Sequence, residues 1–235
     1  LLVCLIFAHN AWAEPIYHEK YYPDGSGPFP VVIALHTSGG FKSVKHLIQR
    51  YVDDGFAVYA PDIFKRHGLT PRTRMETFST YRENIEEELT EIVDIMKNDP
   101  KINKKNVFAV GFSNGGFWVA YLTGSSKVNA GVSHYGVWKA NFGRDITNSY
   151  PMEYFSSTSA PLLALHGEGD STQKINYYLT AREDIEDTPN FEDHVYEDGG
   201  HVWDCFPYFP KWLIDKSPRI SRILKKLKGV CADKF

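Results

Sequence analysis

The stretch Val107-Phe108-Ala109-Val110-Gly111-Phe112-Ser113-Asn114-Gly115-Gly116 constrains the rest of the chain. A short apolar, β-branched run ends in Gly-Phe-Ser-Asn-Gly, and a helix-compatible run from Phe117 to Leu122 follows. The pattern reads as a strand, a sharp turn and a helix, with a serine at the apex. A G-x-S-x-G turn in that setting is a nucleophile elbow, whose tight backbone admits only small residues beside the serine. The turn lifts the hydroxyl clear of the sheet. It also sets the serine at a helix N-terminus, where unpaired N–H groups and the helix dipole favour negative charge. An ordinary glycine-rich strand–helix turn has the same pattern, so partners must be sought downstream.

Around this stretch, strands and helices alternate. Ile16 to Tyr22 has the character of an edge strand, and Val31 to Leu35 is a continuous apolar run suited to a central parallel strand. That run ends in His36-Thr37-Ser38-Gly39-Gly40. A helix is expected from Val44 to Asp54, stopped by Gly55, and a second buried strand from Phe56 to Ala60. Residues 62–78 are polar and irregular and group Lys65, Arg66, His67, Arg72 and Arg74 in a surface loop. A long helix then opens on a capping box of Thr80 and Glu83, with an apolar face of Tyr81, Ile85, Leu89, Ile92, Val93 and Met96. Further strands are expected at Asn129–Val137, Pro161–Leu165 and Asp193–Glu197, with a helix from about Thr172 to Ile185. Ile214 to Lys228 reads as a basic amphipathic helix with a solvated face. The alternation predicts an α/β fold, a mostly parallel central sheet with helices on both faces.

At 235 residues, with no internal repeat and no linker, the chain suits one domain over 14–235. Its 43% hydrophobic content and net charge of −3 are those of an ordinary globular protein and call for neither nucleic acid nor an anionic membrane. The first residues add a different signal. Leu1 to Phe7 is apolar, and Ala11-Trp12-Ala13 offers an A-x-A cleavage pattern, so residues 1–13 read as the remnant of a signal peptide cut before Glu14. The competing reading is a buried N-terminal strand. The run is too short to cross a membrane, and a secreted or periplasmic protein is expected. Export would leave Cys205 and Cys231, either as a disulfide or as two free thiols.

In parallel α/β sheets, sites lie beyond the C-terminal strand ends. Four such ends carry suggestive residues: His36–Gly40, Ser113, Asp170 and His201. A serine needs a base, and the base an orienting acid. Asp170 stands in the Gly-bounded loop His166-Gly167-Glu168-Gly169-Asp170; the alternative role is a cap for the helix that follows, and Glu168 is the next candidate acid. His201 follows Gly199-Gly200 just past the last strand and competes with His36, His134, His166 and His194. The order Ser113, Asp170, His201 is the one used by α/β-hydrolases. For the oxyanion of a tetrahedral intermediate, the expected donors are the Asn114 amide and an amide of the first loop, at Thr37 or Ser38.

These segments resemble α/β-hydrolases of the dienelactone hydrolase-like group, through PFPVVIALH, GFAVYAPDIF, VFAVGFSNGG, PLLALHGEGD and HVYEDGGH in order. The resemblance implies hydrolysis of an ester or lactone through an acyl-enzyme, with no metal or organic cofactor, and assigns Asp170 and His201 to a triad with Ser113. Two departures stand out. Dienelactone hydrolases proper resemble G-x-C-x-G-G at the elbow, where this chain has Ser113. They also carry a glutamate after the first-loop histidine, where this chain has Thr37. The Ser-Asn-Gly-Gly form is similar to secreted feruloyl esterases and polyhydroxyalkanoate depolymerases.

Aromatic residues gather near the expected site: Trp138, Phe142, Tyr150 and Phe155, then Trp203, Phe206, Tyr208 and Phe209. With Ser38, Trp138 and Trp203 are candidates for contact with substrate, against the plainer reading that they seal the domain. The expected partner is a small-molecule ester or lactone, met by a monomer or dimer. Two alternatives keep the fold: a peptidase of prolyl-oligopeptidase type, and a secreted binding protein without catalysis.

Overall fold

The computed structural model describes residues 16–140, 150–197 and 199–201. Seven strands form one sheet in the order β1-β3-β2-β4-β5-β6-β7. They are β1 His18–Tyr21, β2 Phe29–Leu35, β3 Ala57–Pro61, β4 Ile102–Phe112, β5 Ala130–His134, β6 Leu162–Gly167 and β7 Phe191–Tyr196. β1 runs antiparallel to β3 at one edge, and the other pairings are parallel.

Four helices connect the strands: α1 Lys45–Asp53, α2 Arg82–Asn98, α3 Asn114–Gly124 and α4 Ile175–Ile185. The two faces of β2 show how the core divides. Val31, Ile33 and Leu35 join α2, α3 and α4 in one cluster, while Val32 and Ala34 join α1 in the other. A strand buried on both faces has no polar side to show, which is why its sequence is an unbroken apolar run. Helices thus cover both faces, as the alternation predicts.

Two expectations are corrected. The helix over 82–98 begins without the Thr80–Glu83 capping box: Tyr81 is its N-cap, with no side-chain capping bond. A 3-10 segment at Arg74–Phe78 runs into the helix, and the Tyr81 N–H donates to the Glu76 carbonyl at 2.9 Å, which leaves Thr80 exposed outside the helix. The loop 62–78 is also no simple solvated surface. Ile63, Phe64, Thr77 and Phe78 are buried, and Arg66 and His67 face the buried carboxylate of Glu88 at 2.9 and 3.0 Å. The A-x-A stretch, both Cys205 and Cys231, the helix expected at 214–228, and Phe142, Trp203, Phe206, Tyr208 and Phe209 lie outside the described residues.

Among the described residues, no helix is long and apolar enough to cross a membrane.

Candidate active site

β4 ends at Phe112, and the next residue, Ser113, turns the chain with φ 53° and ψ −109°. Such a backbone is strained for a residue with a side chain and persists only where its surroundings fix it. Here they do. The Ser113 N–H donates to the His134 carbonyl at the end of β5, and the Ser113 carbonyl accepts from Gly116 and Val137. The Gly115 N–H donates to the His36 carbonyl beyond β2. Gly115 has no alternative residue: a Cβ there would lie 2.3 Å from the Leu35 carbonyl oxygen, and one at Gly111 would lie 2.2 Å from that of Gly115. The two glycines of G-x-S-x-G therefore let helix and strand backbones touch.

Asp170 sits in the turn after β6. Its Oδ1 accepts from the Thr172 and Gln173 amides, both at 2.8 Å, so it caps that turn rather than helix α4, whose N-cap is Lys174. Its Oδ2 accepts from His201 Nδ1 at 2.7 Å. The loop carrying His201 is pressed onto this turn, since a Cβ at Gly167 would meet the Gly199 carbonyl oxygen at 2.1 Å. Burial raises the Asp170 carboxyl, but the His201 hydrogen bond and the Gln173 and Thr172 amides outweigh it and hold the group below the usual carboxylate range. An ionised carboxylate only accepts, so Nδ1 of His201 carries a proton, and in the neutral ring Nε2 is then the acceptor. Ser113 Oγ lies 3.0 Å from that Nε2. The three residues singled out from the order of motifs thus meet in one hydrogen-bonded chain.

The competing groups are elsewhere. Glu168 is exposed. His36 is fully buried, donating from Nδ1 to the Thr37 carbonyl, with Nε2 3.6 Å from Asp62. His166 bonds the Gln173 carbonyl at 2.8 Å and stacks on Tyr178, and burial lowers its pKa. Burial likewise lowers that of His194.

Two candidates stand differently from expectation. The Thr37 N–H donates to Ser43 Oγ at 3.0 Å, and that hydroxyl in turn donates to the Gly40 carbonyl. A hydroxyl six residues on holds the amide expected for the oxyanion, while Ser38 next to it is partly buried. Trp138 is only 1% exposed, with its ring 5.4 Å from that of Tyr178, so its surface is spent on core packing.

Sequence reasoning missed several residues around the site. Tyr135, with φ 37°, sets its ring 4.9 Å from that of His201. Gln173, buried, accepts from the Trp138 amide at 3.2 Å and so ties the Asp170 turn to the segment after β5. Neither has a sequence signal, because both contacts join segments far apart in the chain. Among the described residues, no cluster of His, Cys, Asp and Glu is arranged to hold a metal ion.

Solved structures share this architecture at low identity, and the likeness is one of fold. A candidate dienelactone hydrolase from Klebsiella pneumoniae subsp. pneumoniae is 19% identical, with a TM-score of 0.66 over 89% of this chain and 91% of that one. Esterase 2 of Thermogutta terrifontis, phosphoramylated by tabun, is 15% identical, with a TM-score of 0.63 over 92% and 91%. The acylaminoacyl peptidase of Pyrococcus horikoshii is 17% identical, with a TM-score of 0.65 over 93% of this chain but 40% of its own. No curated protein matches the chain in sequence. The fold is that of the α/β-hydrolases, and the sequence model for one of their families matches residues 19–205. A match over so much of the chain settles its kinship: this protein belongs to the dienelactone hydrolase family.

Proposed function

We propose that this hydrolase cleaves carboxylic esters or lactones through an acyl-enzyme, with Ser113 as nucleophile, His201 as base and Asp170 as the orienting acid. The observation that carries the reading is the continuous chain from Asp170 Oδ2 through His201 to Ser113 Oγ, at 2.7 and 3.0 Å. His201 Nε2 takes the Ser113 proton as Oγ attacks the carbonyl carbon, and the imidazolium that forms is stabilised by the ionised Asp170. The negative charge that develops on the carbonyl oxygen lies at the N-terminus of α3, where the Asn114 N–H is one donor; with the Thr37 amide held by Ser43, the Ser38 N–H is the candidate for the other. His201 then protonates the leaving alcohol. Water, deprotonated by the same nitrogen, releases the acid.

The test is labelling with a fluorophosphonate, mapped by peptide mass spectrometry. A structural neighbour, esterase 2, is phosphoramylated by tabun, which makes an organophosphorus probe the fitting reagent. Modification at Ser113 is expected, and its loss in His201→Ala. Ser113→Ala should lower turnover of p-nitrophenyl esters by roughly 10⁴-fold or more. Full esterase activity in that variant would sink the assignment. Faster cleavage of an aminoacyl p-nitroanilide than of the matched ester would shift the reading to a peptidase, the activity named for the Pyrococcus horikoshii neighbour.

A further inference from the structure

Asn114 is the only residue in the first three positions of α3 with a side chain, since Gly115 and Gly116 follow it. Beside the backbone bonds that the Ser113 carbonyl accepts from Gly116 and Val137, it is the one side chain at that helix start able to hold the peptide that follows Ser113. The Asn114 side chain does not cap its own helix. It is fully buried and reaches outward to the loop 62–78, donating from Nδ2 to Thr77 Oγ1 at 3.0 Å and to the Arg74 carbonyl at 3.4 Å. Trp118 Nε1, one turn further on, donates to Asn114 Oδ1 at 3.2 Å. An indole N–H can only donate, so it fixes which end of the amide is oxygen. Thr77, also fully buried, donates its own proton to the Arg74 carbonyl at 2.7 Å, so its oxygen is free to accept from Asn114.

We propose that Thr77 is a positioning residue for the reaction: through the Asn114 side chain it fixes the direction of the Asn114 N–H that receives the oxyanion. The inference rests on the serine-hydrolase reading above. It assigns the loop 62–78 a part in transition-state stabilisation that its composition, grouped basic residues in a polar stretch, does not announce. A donor aimed at an oxyanion acts only when it is correctly placed, and a displacement of about 1 Å in such a group can cost roughly 10²-fold in rate. Buried polar networks of this kind hold one geometry only while each member is satisfied.

The test compares Thr77→Val, which keeps the shape and deletes the hydroxyl, with Thr77→Ser, which keeps the hydroxyl. Burst kinetics with p-nitrophenyl butyrate read the acylation rate on the full-length protein, alongside KM and melting temperature. Thr77→Val should slow acylation by about 10- to 100-fold with KM within about twofold, and Thr77→Ser should restore most of the rate. A melting temperature that falls while acylation stays within about twofold of wild type would overturn the inference and leave a packing role alone. Should Thr77→Val fail to fold, Trp118→Phe removes the other bond to Asn114 and keeps a large ring; slowed acylation supports the proposal and an unchanged rate overturns it. Wild-type protein with no burst and no label at Ser113 would remove the serine-hydrolase reading and this inference together. A labelled wild type with an unaffected Thr77→Val would remove only the inference.

Discussion

Helices α2 and α3 pack on the same face of the sheet, yet they are attached to it by different means. α2 is amphipathic: Ile85, Leu89, Ile92, Val93 and Met96 point inward, while Glu83, Glu87 and Asp94 are exposed. α3 has no outward face, and all eleven of its residues are buried. α2 is held by side chains that fill volume; α3 adds to such side chains, Phe117, Trp118 and Leu122 among them, a close backbone approach at Gly111, Gly115 and Leu35. A side-chain contact yields gradually when altered, because neighbours partly relax. A glycine whose added Cβ would fall under 3 Å from a backbone atom leaves no slack to give. The nucleophile stands at the start of the inflexible helix, so position at the site is set by atoms that cannot drift.

The largest expected effect follows from adding one methyl group on the inflexible side. Gly115→Ala would place a Cβ 2.3 Å from the Leu35 carbonyl oxygen and 2.8 Å from that of His36, and neither is a movable side-chain tip. The start of α3 must shift, and Ser113 with it. The expected outcome is either no folded protein or an acylation rate lowered by roughly 10²-fold or more. Circular dichroism melting and burst kinetics separate the two. A variant that melts and acylates like wild type would show that the elbow tolerates a displacement, and the contrast between the helices would fail.

The same contrast explains what could be read in advance. The apolar stripe of α2 and the unbroken strand Val31–Leu35 are local patterns, legible because burial imposes a period on adjacent residues. The elbow was legible as a motif, since its glycines answer to contacts that any such turn must make. Ser113, Asp170 and His201 could be named because each ends a strand, and strand ends of a parallel sheet converge. What stayed hidden was fixed by contacts that no local period marks: Thr77 on Asn114 and Tyr135 on His201 between distant segments, and Ser43 on the Thr37 amide within one loop. The Thr80–Glu83 box misled because a local motif lost to the 3-10 segment at Arg74–Phe78, which leads into the helix through the turn at residues 79–81. Glu88 did leave a trace: it lies three residues after Ile85 and four before Ile92, a charge on the apolar stripe.

On the yielding side, Leu89→Ala removes fully buried methyl groups from α2. The loss should be about 2–4 kcal/mol of stability, from transfer of the removed atoms and the cavity left behind. Urea unfolding measures it, and titration with a fluorophosphonate counts the active molecules. Activity per labelled molecule should stay at the wild-type level, because the apolar Leu89 side chain holds no hydrogen bond at the elbow and its neighbours in the core can relax. A fall in that specific activity would mean that α2 transmits to the site and that the two helices are not independent.

The smallest effect concerns the charge on the stripe. Glu88 is buried and accepts from Arg66 at 2.9 Å; His67 lies 3.0 Å away and stacks on Tyr81, and Arg66 also reaches Glu91 at 3.7 Å. Burial pushes the Glu88 carboxyl up, and the opposing pull of His67 and Arg66 does not cancel it. With the folded value raised above the unfolded one, the folded state keeps its proton over a range where the unfolded state has lost it. The contribution of this group is therefore present below the unfolded pKa and is lost as pH rises through the folded value. Glu88→Gln cannot ionise, so its stability relative to wild type should improve as pH rises from the unfolded carboxylate value, about 4.3, through the raised folded value, and then level off. The change should be on the order of 1 kcal/mol or less, since Arg66 is partly exposed and retains Glu91. Urea unfolding of both proteins across that range reads the slope. A difference that stays constant, or that moves in favour of wild type as pH rises, would show that Arg66 and His67 fully offset the burial of Glu88, and that even the yielding helix admits a charge on its inner face without loss.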